Sequence, residues 1–325
     1  MLRVLVYLGK FSQLVKNGTL RLSGVIFRRN VIGISRYCTL WFDFQAEVTM
    51  NTEVEEILKG SYDLHVHAAP DRVERRLDAL EVARQAYEAE QGGFVLKSHE
   101  YPTAPLTYAL NRMYPGLKVF GAIALNRSVG GVNPDAVEVA AGLETKVVWM
   151  PTMTADYWLK NLKKGAGLSV FDDNGKLTAE TVKVIDIIAK NDMVLASGHI
   201  SPLEAIAVFE AAKSAGVTRM IATHPANVAT VEQQKEMVSL GAYLEYTFLA
   251  CMPVRQLYTV KELMDAVRCL GLDNCVVTTD FGQWMNPPPA EGMRMAIASL
   301  MNQGMSPDEL TKLVKTNPAR ILGED

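Results

Sequence analysis

From Ser61 onward, short apolar runs alternate with longer amphipathic stretches, the pattern of successive β-α units around a parallel sheet. Eight runs read as strands, at 62–67, 93–98, 118–125, 146–151, 193–198, 218–223, 241–246 and 275–280. Several are almost continuously apolar, as expected where helices cover both faces of a parallel sheet. Eight is the number that closes a barrel. A doubly wound open sheet would alternate in the same way, but no glycine-rich phosphate fingerprint follows the first run. The pattern therefore predicts a (β/α)8 barrel.

The stretches between strands carry helix punctuation. Ser201-Pro-Leu-Glu204 and Ser306-Pro-Asp-Glu309 predict capping boxes with proline at the first helical position. Thr230 with Gln233, and Thr259 with Glu262, predict two more. Between Thr178 and Lys190, Val182, Ile185 and Ile188 recur at three-residue spacing and predict one apolar helix face. Asp172-Asp-Asn-Gly175 marks a polar turn in a long connection after the fourth strand.

Composition narrows the class. With 325 residues, 49% of them hydrophobic and 21% charged, the chain can bury a sizeable core. A net charge of -3 without a basic stripe argues against nucleic acid as a partner. No apolar run approaches the roughly 18 residues of a spanning helix, so no membrane role is expected. Cys38, Cys251, Cys269 and Cys275 form no CxxC pair and read as reduced, mostly buried thiols, which implies a reducing compartment such as the cytoplasm. Residues 1–49 differ from the rest. Seven basic residues against two acidic ones give them a balance of +5, leaving -8 for the remainder. They read as an N-terminal extension upstream of the enzyme domain, or from upstream of the true start at Met50; a mitochondrial presequence, and hence the matrix, is the alternative. Residues 50–325 are the predicted barrel, opening on a helix at 51–60.

All five histidines, His65, His67, His99, His199 and His224, lie at or just beyond the C-terminal end of a predicted strand. That is the end at which such barrels assemble active sites. In His65-Val66-His67 the strand period turns both imidazoles the same way, so they can share one ion. A lone HxH is a weak signal; five histidines at one end of a barrel are a stronger one.

Together DLHVHAAPD at 63–71, SGHIS at 197–201, ATHPAN at 222–227, TTDFG at 278–282 and NPARILG at 317–323 resemble the amidohydrolase superfamily of metal-dependent hydrolase barrels, in an uncharacterised branch of it. The resemblance spans residues 60–325. It implies that His65 and His67 bind the more buried metal, that His199 and His224 are ligands from strands five and six, and that Asp280 touches the metal and shuttles a proton. It implies one or two divalent ions, with zinc the expected metal. The chemistry of the residues agrees: neutral imidazoles and one carboxylate around an open position let a metal lower the pKa of bound water. Asp280, Lys97 and His224 are the candidate catalytic groups.

One departure from the family's pattern concerns the bridging ligand. Binuclear members usually take a carboxylated lysine or a glutamate from strand four, but Lys146 here sits at that strand's wrong end. Lys97 on strand two shares a face with His99 and is the candidate for a bridging carbamate; its bland alternative is pairing with Glu100 or Asp63. His99, Arg72, Glu245 and Trp284 are the candidate substrate contacts, with Arg75, Arg76, Asn126, Arg127, Thr152 and Tyr246 at the same end. The expected activity is hydrolysis of a small-molecule C–N or ester-type bond. A mononuclear-metal decarboxylase or lyase and a non-catalytic metal-binding barrel remain open, as does a homo-oligomeric state.

Overall fold

A computed structural model describes residues 52–325. The predicted extension at 1–49, its leader or false-start reading and Cys38 lie outside the described residues. Eight parallel strands run in chain order: β1 Tyr62–Val66, β2 Gly93–Leu96, β3 Lys118–Ala124, β4 Thr145–Trp149, β5 Val194–Ala196, β6 Met220–Ala222, β7 Ala242–Thr247 and β8 Cys275–Thr278. Every predicted strand is present, and helices follow them on the outside. Residues 52–58 form a helix ahead of β1. The fold is the expected (β/α)8 barrel.

The near-continuous apolar strands divide by alternation. Val95, Ala122, Val147, Val194, Ile221 and Val276 belong to one buried cluster, and Phe94, Leu96 and Val119 to a separate one on the helix side. Ile321 and Leu322 of the C-terminal helix join the first cluster, which is thereby a packed core rather than a pore. β1 breaks the rule. Its register against β2 slips between Asp63 and Val66. Leu64 joins the inner cluster, Val66 the outer one, and His65 between them also meets interior groups.

The four predicted capping boxes at Ser201, Thr230, Thr259 and Ser306 all form. The helix Ala179–Lys190 is capped by the Thr178 side chain, but its buried face is Thr181, Val184, Ile185 and Ile188. Val182 is 43% exposed, so three-residue spacing placed it on the wrong side of a 3.6-residue turn. The thiols also differ from expectation: Cys275 is buried, Cys251 half-buried and Cys269 exposed, all three free. Among the described residues no helix is long and apolar enough to cross a membrane.

The barrel closes between β8 and β1 through the residues of the site. The N–H of Asp280 donates to the His65 carbonyl at 2.9 Å, and that of His67 to the Phe281 carbonyl at 2.8 Å. Buried Asp63 accepts from the Thr279 backbone at 3.1 Å and from its hydroxyl. Gly282 makes the approach feasible: its φ is +139°, and a Cβ there would lie 2.1 Å from the His67 carbonyl oxygen.

Candidate metal centre

His65 and His67 are held by their Nδ1 atoms. His65 Nδ1 donates to Glu245 Oε1 at 2.8 Å, an oxygen that also accepts from the Thr278 hydroxyl at 2.8 Å. His67 Nδ1 donates to the Lys97 carbonyl at 3.1 Å. A carbonyl only accepts, so the His67 proton sits on Nδ1, and the network assigns the same tautomer to His65. Both Nε2 atoms then carry their lone pairs towards the cavity, each 3.3 Å from Asp280 Oδ1. Ligand atoms of these three residues lie within 4.8 Å of one another. Acceptors aimed at each other at this distance repel unless a cation stands among them, and two imidazoles with a carboxylate are a metal's donor set. The Lys97 ammonium supplies part of that charge, 2.9 Å from His65 Nε2 and 4.7 Å above the Trp149 ring.

His199 and His224 stand on the facing wall, after β5 and β6. Their rings are 5.0 Å apart, and His224 stacks 6.3 Å from His65. Both residues line the same cavity, about 1040 Å³ in volume, as His65, His67, Lys97, His99 and Asp280. They do not join the tight group of His65, His67 and Asp280. The Nδ1 atom of each is buried without a hydrogen-bond partner, a costly state that a ligand would relieve. His224 and Asp280 both hold positive φ, +32° and +55°, in a region that disfavours residues with a Cβ and recurs at functional sites. Gly198, beside His199, has φ +65°, and a Cβ there would lie 2.3 Å from the Met150 carbonyl oxygen.

Burial dominates the electrostatics. It lowers the pKa of His65 to about 3 and of His224 to about 4, and holds His67, His99 and His199 well below the usual imidazole value. All five are neutral near pH 7, the form that binds metal. Burial also pulls Lys97 down to about 8, opposed by Asp280 and Glu245, and pushes Glu245 up to about 7, opposed by His224 and Lys97.

His99 is wired differently. Asn126 Nδ2 donates to Thr152 Oγ1 at 2.7 Å, and the Thr152 hydroxyl lies 2.8 Å from His99 Nδ1. Among the described residues the hydroxyl has no other acceptor, which favours donation to Nδ1 and a His99 proton on Nε2. His99 is thus a donor towards the cavity where His65 and His67 are acceptors. Asn126 Oδ1 also accepts from the Thr152 and Thr154 backbones at 3.0 and 3.1 Å, tying the loops after β3 and β4 together.

The remaining expected contacts divide. Arg72 lines the cavity with its side chain 82% exposed, 3.9 Å from Glu100. Glu245 is not a cavity wall: it lies buried behind His65, because alternation along β7 turns it inward below the mouth while Tyr246 packs outward against Gln234. Trp284 is also absent from the lining and is 53% exposed, so the loop after β8 carries its indole away from the pocket. Trp158, on the short helix Asp156–Asn161, takes that place, 4.7 Å from the His199 ring. Its helix follows a strand end in a long connection, and only that position signals it in the sequence. Lys97 meets neither Glu100 nor Asp63, since its ammonium bonds His65 instead.

A family described as of unknown function, DUF6282, matches residues 60–245. Among curated proteins no sequence matches. Solved structures similar to the chain include an amidohydrolase from Pseudomonas aeruginosa, with 13% identity and a TM-score of 0.61 over 84% of this chain and 98% of that one. A probable dipeptidase from the same organism gives 12% identity and a TM-score of 0.58 over 85% and 98%. The phosphotriesterase homology protein from Escherichia coli, complexed with phosphate in its active site, gives 14% and 0.57 over 81% and 99%. The fold is that of the amidohydrolase- and phosphotriesterase-like barrels.

Proposed function

We propose that this chain, which belongs to the DUF6282 family, is a metal-dependent hydrolase of a small-molecule C–N or ester-type bond. One observation carries the reading: His65 Nε2, His67 Nε2 and Asp280 Oδ1 converge as three acceptors at the mouth of a barrel, open to a large cavity. The likeness to amidohydrolase, dipeptidase and phosphotriesterase-like barrels supports it as a likeness of fold.

The donor set suits zinc. A divalent ion bound there supplies Lewis acidity and brings the pKa of water towards neutrality. The residues have separable tasks. Asp280 Oδ1 receives the proton of the attacking water, Glu245 fixes the His65 tautomer, and the His99 Nε2–H donates to a substrate oxygen. His199 and His224 complete the donor set through nitrogens that no protein group occupies. Lys97, with its amine made less basic by burial, would be the residue to take up carbon dioxide, the neutral amine losing a proton to give a carbamate, and so would add an anionic oxygen to the donor set.

A mononuclear lyase or decarboxylase is the second reading. The tight group of His65, His67 and Asp280, with the Lys97 ammonium hydrogen-bonded to His65 beside it, favours a single ion and an unmodified lysine. Metal analysis of the purified protein, followed by a screen of lactones, amides, phosphoesters and carboxylic acids, separates them. Two ions with hydrolysis of an ester or amide supports the hydrolase. One ion with carbon dioxide release from a carboxylic acid, and no hydrolysis, overturns it.

A further inference from the structure

Three arginines follow the HxH motif, and the fold treats them differently. Arg72 and Arg76 are exposed. The Arg75 side chain is only 4% exposed, yet it lines the cavity. Its Nε and Nη2 both donate to Asp71 Oδ2, at 2.8 and 2.7 Å. Asp71 is itself buried and steadied by the Val73 backbone N–H on Oδ1 at 3.2 Å. The segment is pinned beside the metal-facing loop, since Arg75 bridges Gln283 and the Arg76 N–H donates to the Gly282 carbonyl at 2.9 Å. A guanidinium is thus braced from one side, and among the described residues its Nη1 makes no hydrogen bond.

Charge points the same way. The lining carries the cations Arg72, Arg75, Lys97, Arg127 and Arg255. Against them stand Asp71, Glu100 and Asp280, so the cavity is positive in a chain whose net charge is -3. Arg75 is also felt at the ligands: after burial, its charge is the next largest cause of the low His67 pKa. Beyond these groups, Met153, Leu162, Val228 and Leu257 present exposed apolar surface along the same cavity.

We infer that the substrate is a small amphiphilic anion, its carboxylate or phosphoryl group gripped by the free edge of Arg75 while its apolar body lies against Met153, Leu162, Val228 and Leu257. The inference rests on the reading of His65, His67 and Asp280 as the reacting centre. Planar guanidinium matches either oxyanion by paired hydrogen bonds, and a partly desolvated site strengthens them. Asp71 is the positioning residue that aims the fork.

Titration calorimetry of the full chain, metal-free and zinc-loaded, with hexanoate, hexyl phosphate and neutral hexanamide tests this. Hexanoate or hexyl phosphate should bind at least about tenfold more tightly than hexanamide, and the tighter of the two identifies the oxyanion. Arg75→Gln combined with Asp71→Asn removes both charges of the buried pair, so neither is left unpaired, and should bring the anion-to-amide ratio close to one. Arg75→Lys should keep only part of the preference, because a point charge lacks the fork. Asp71→Asn alone should lower the ratio, which loss of mere structural support would not do. Arg72→Gln should leave it intact.

An undiminished ratio in both Arg75 variants overturns the proposal. So does a parent protein without preference, or a preference that exists only with zinc bound and survives those substitutions. Failure to bind any divalent ion, with the Arg75-dependent preference intact in metal-free protein, would instead sink the hydrolase reading and leave anion recognition standing.

Discussion

The two walls of the cavity are built from the same residue type and finished to different degrees. On the β1 and β8 side, His65 and His67 have their Nδ1 atoms bonded to Glu245 and to the Lys97 carbonyl, and Asp280 faces both. On the β5 and β6 side, His199 and His224 are only partly buried, but their Nδ1 atoms are buried and have no partner among the described residues. The first wall is organised by the protein alone. The second carries an unmet hydrogen-bonding demand, which stands only because the surrounding fold outweighs it. Under the proposed function the contrast divides labour: the first wall would define where a cation sits, and the second would gain the partner it lacks when a ligand binds.

The hardest blow to the first wall is Lys97→Ala. Its ammonium bonds His65 Nε2 within an apolar barrel floored by Trp149, so its loss removes both a charge and a bridging candidate. Metal content should fall and activity should disappear, with partial return on adding short-chain carboxylic acids. Lys97→Arg should not rescue, since guanidinium cannot be carboxylated. Full metal occupancy and normal turnover in Lys97→Ala would remove the bridging role. Next comes Asp280→Asn, which keeps the shape and deletes the proton acceptor. Turnover should drop by roughly 100-fold or more while most metal is retained; near-normal turnover would exclude Asp280 as the acceptor.

Glu245→Gln attacks the same wall one step behind the ligands. Partners of ligand histidines typically contribute about 10–100-fold in metal affinity. Competition with a chromophoric chelator should read a loss of that size here. An unchanged affinity would mean that the His65 tautomer does not need Glu245.

How far this contrast was legible in the sequence follows from what fixes each feature. Strands and caps are local: apolar runs gave β1 to β8, and Ser201, Thr230, Thr259 and Ser306 each cap a helix as their spacing predicts. The gathering of histidines at one end follows from strand order alone. Direction is not local. The register slip in β1 decides what His65 meets, and the inward turn of β7 puts Glu245, expected as a substrate contact, in a hydrogen bond behind His65. Trp284 and Trp158 exchange places because loop paths are set by packing that no single segment encodes. Arg75 could not be separated from Arg72 and Arg76 until its burial against Asp71 was visible.

Acid tests what the walls share. All five histidines stay unprotonated when folded at a pH where unfolded imidazoles, with pKa about 6.5, take up protons. Asp63 and Glu245 oppose this, because burial raises each to about 7 and they keep protons that the unfolded chain has lost above about pH 4.5. Five uptakes against two leave the unfolded state with about three extra protons near pH 5.5, so stability falls as pH falls from about 6.5 towards 4.5. The expected slope is roughly 4 kcal/mol per pH unit. Urea midpoints of metal-free protein between pH 7 and pH 5 measure it, and a flat profile would mean that the histidines are not buried neutral.

The smallest effect is the sharpest test of the contrast. His65→Phe strips Glu245 Oε1 and Lys97 Nζ of a buried partner, leaving charged groups uncompensated, and should destabilise metal-free protein by about 3 kcal/mol or more. His199→Phe should do almost nothing. It keeps a ring against Trp158, now 4.7 Å away, and deletes a nitrogen that already lacks a partner. Removing an unsatisfied buried group is close to neutral or stabilising, so the change should stay within about 1 kcal/mol and can carry either sign. Zinc should end that harmlessness: the parent gains about 2.7 kcal/mol at a metal concentration 100 times the dissociation constant, and His199→Phe should gain less because it has lost a donor. If His199→Phe costs metal-free protein as much as His65→Phe does, the second wall is as fully bonded as the first. The division of labour between them would then fall.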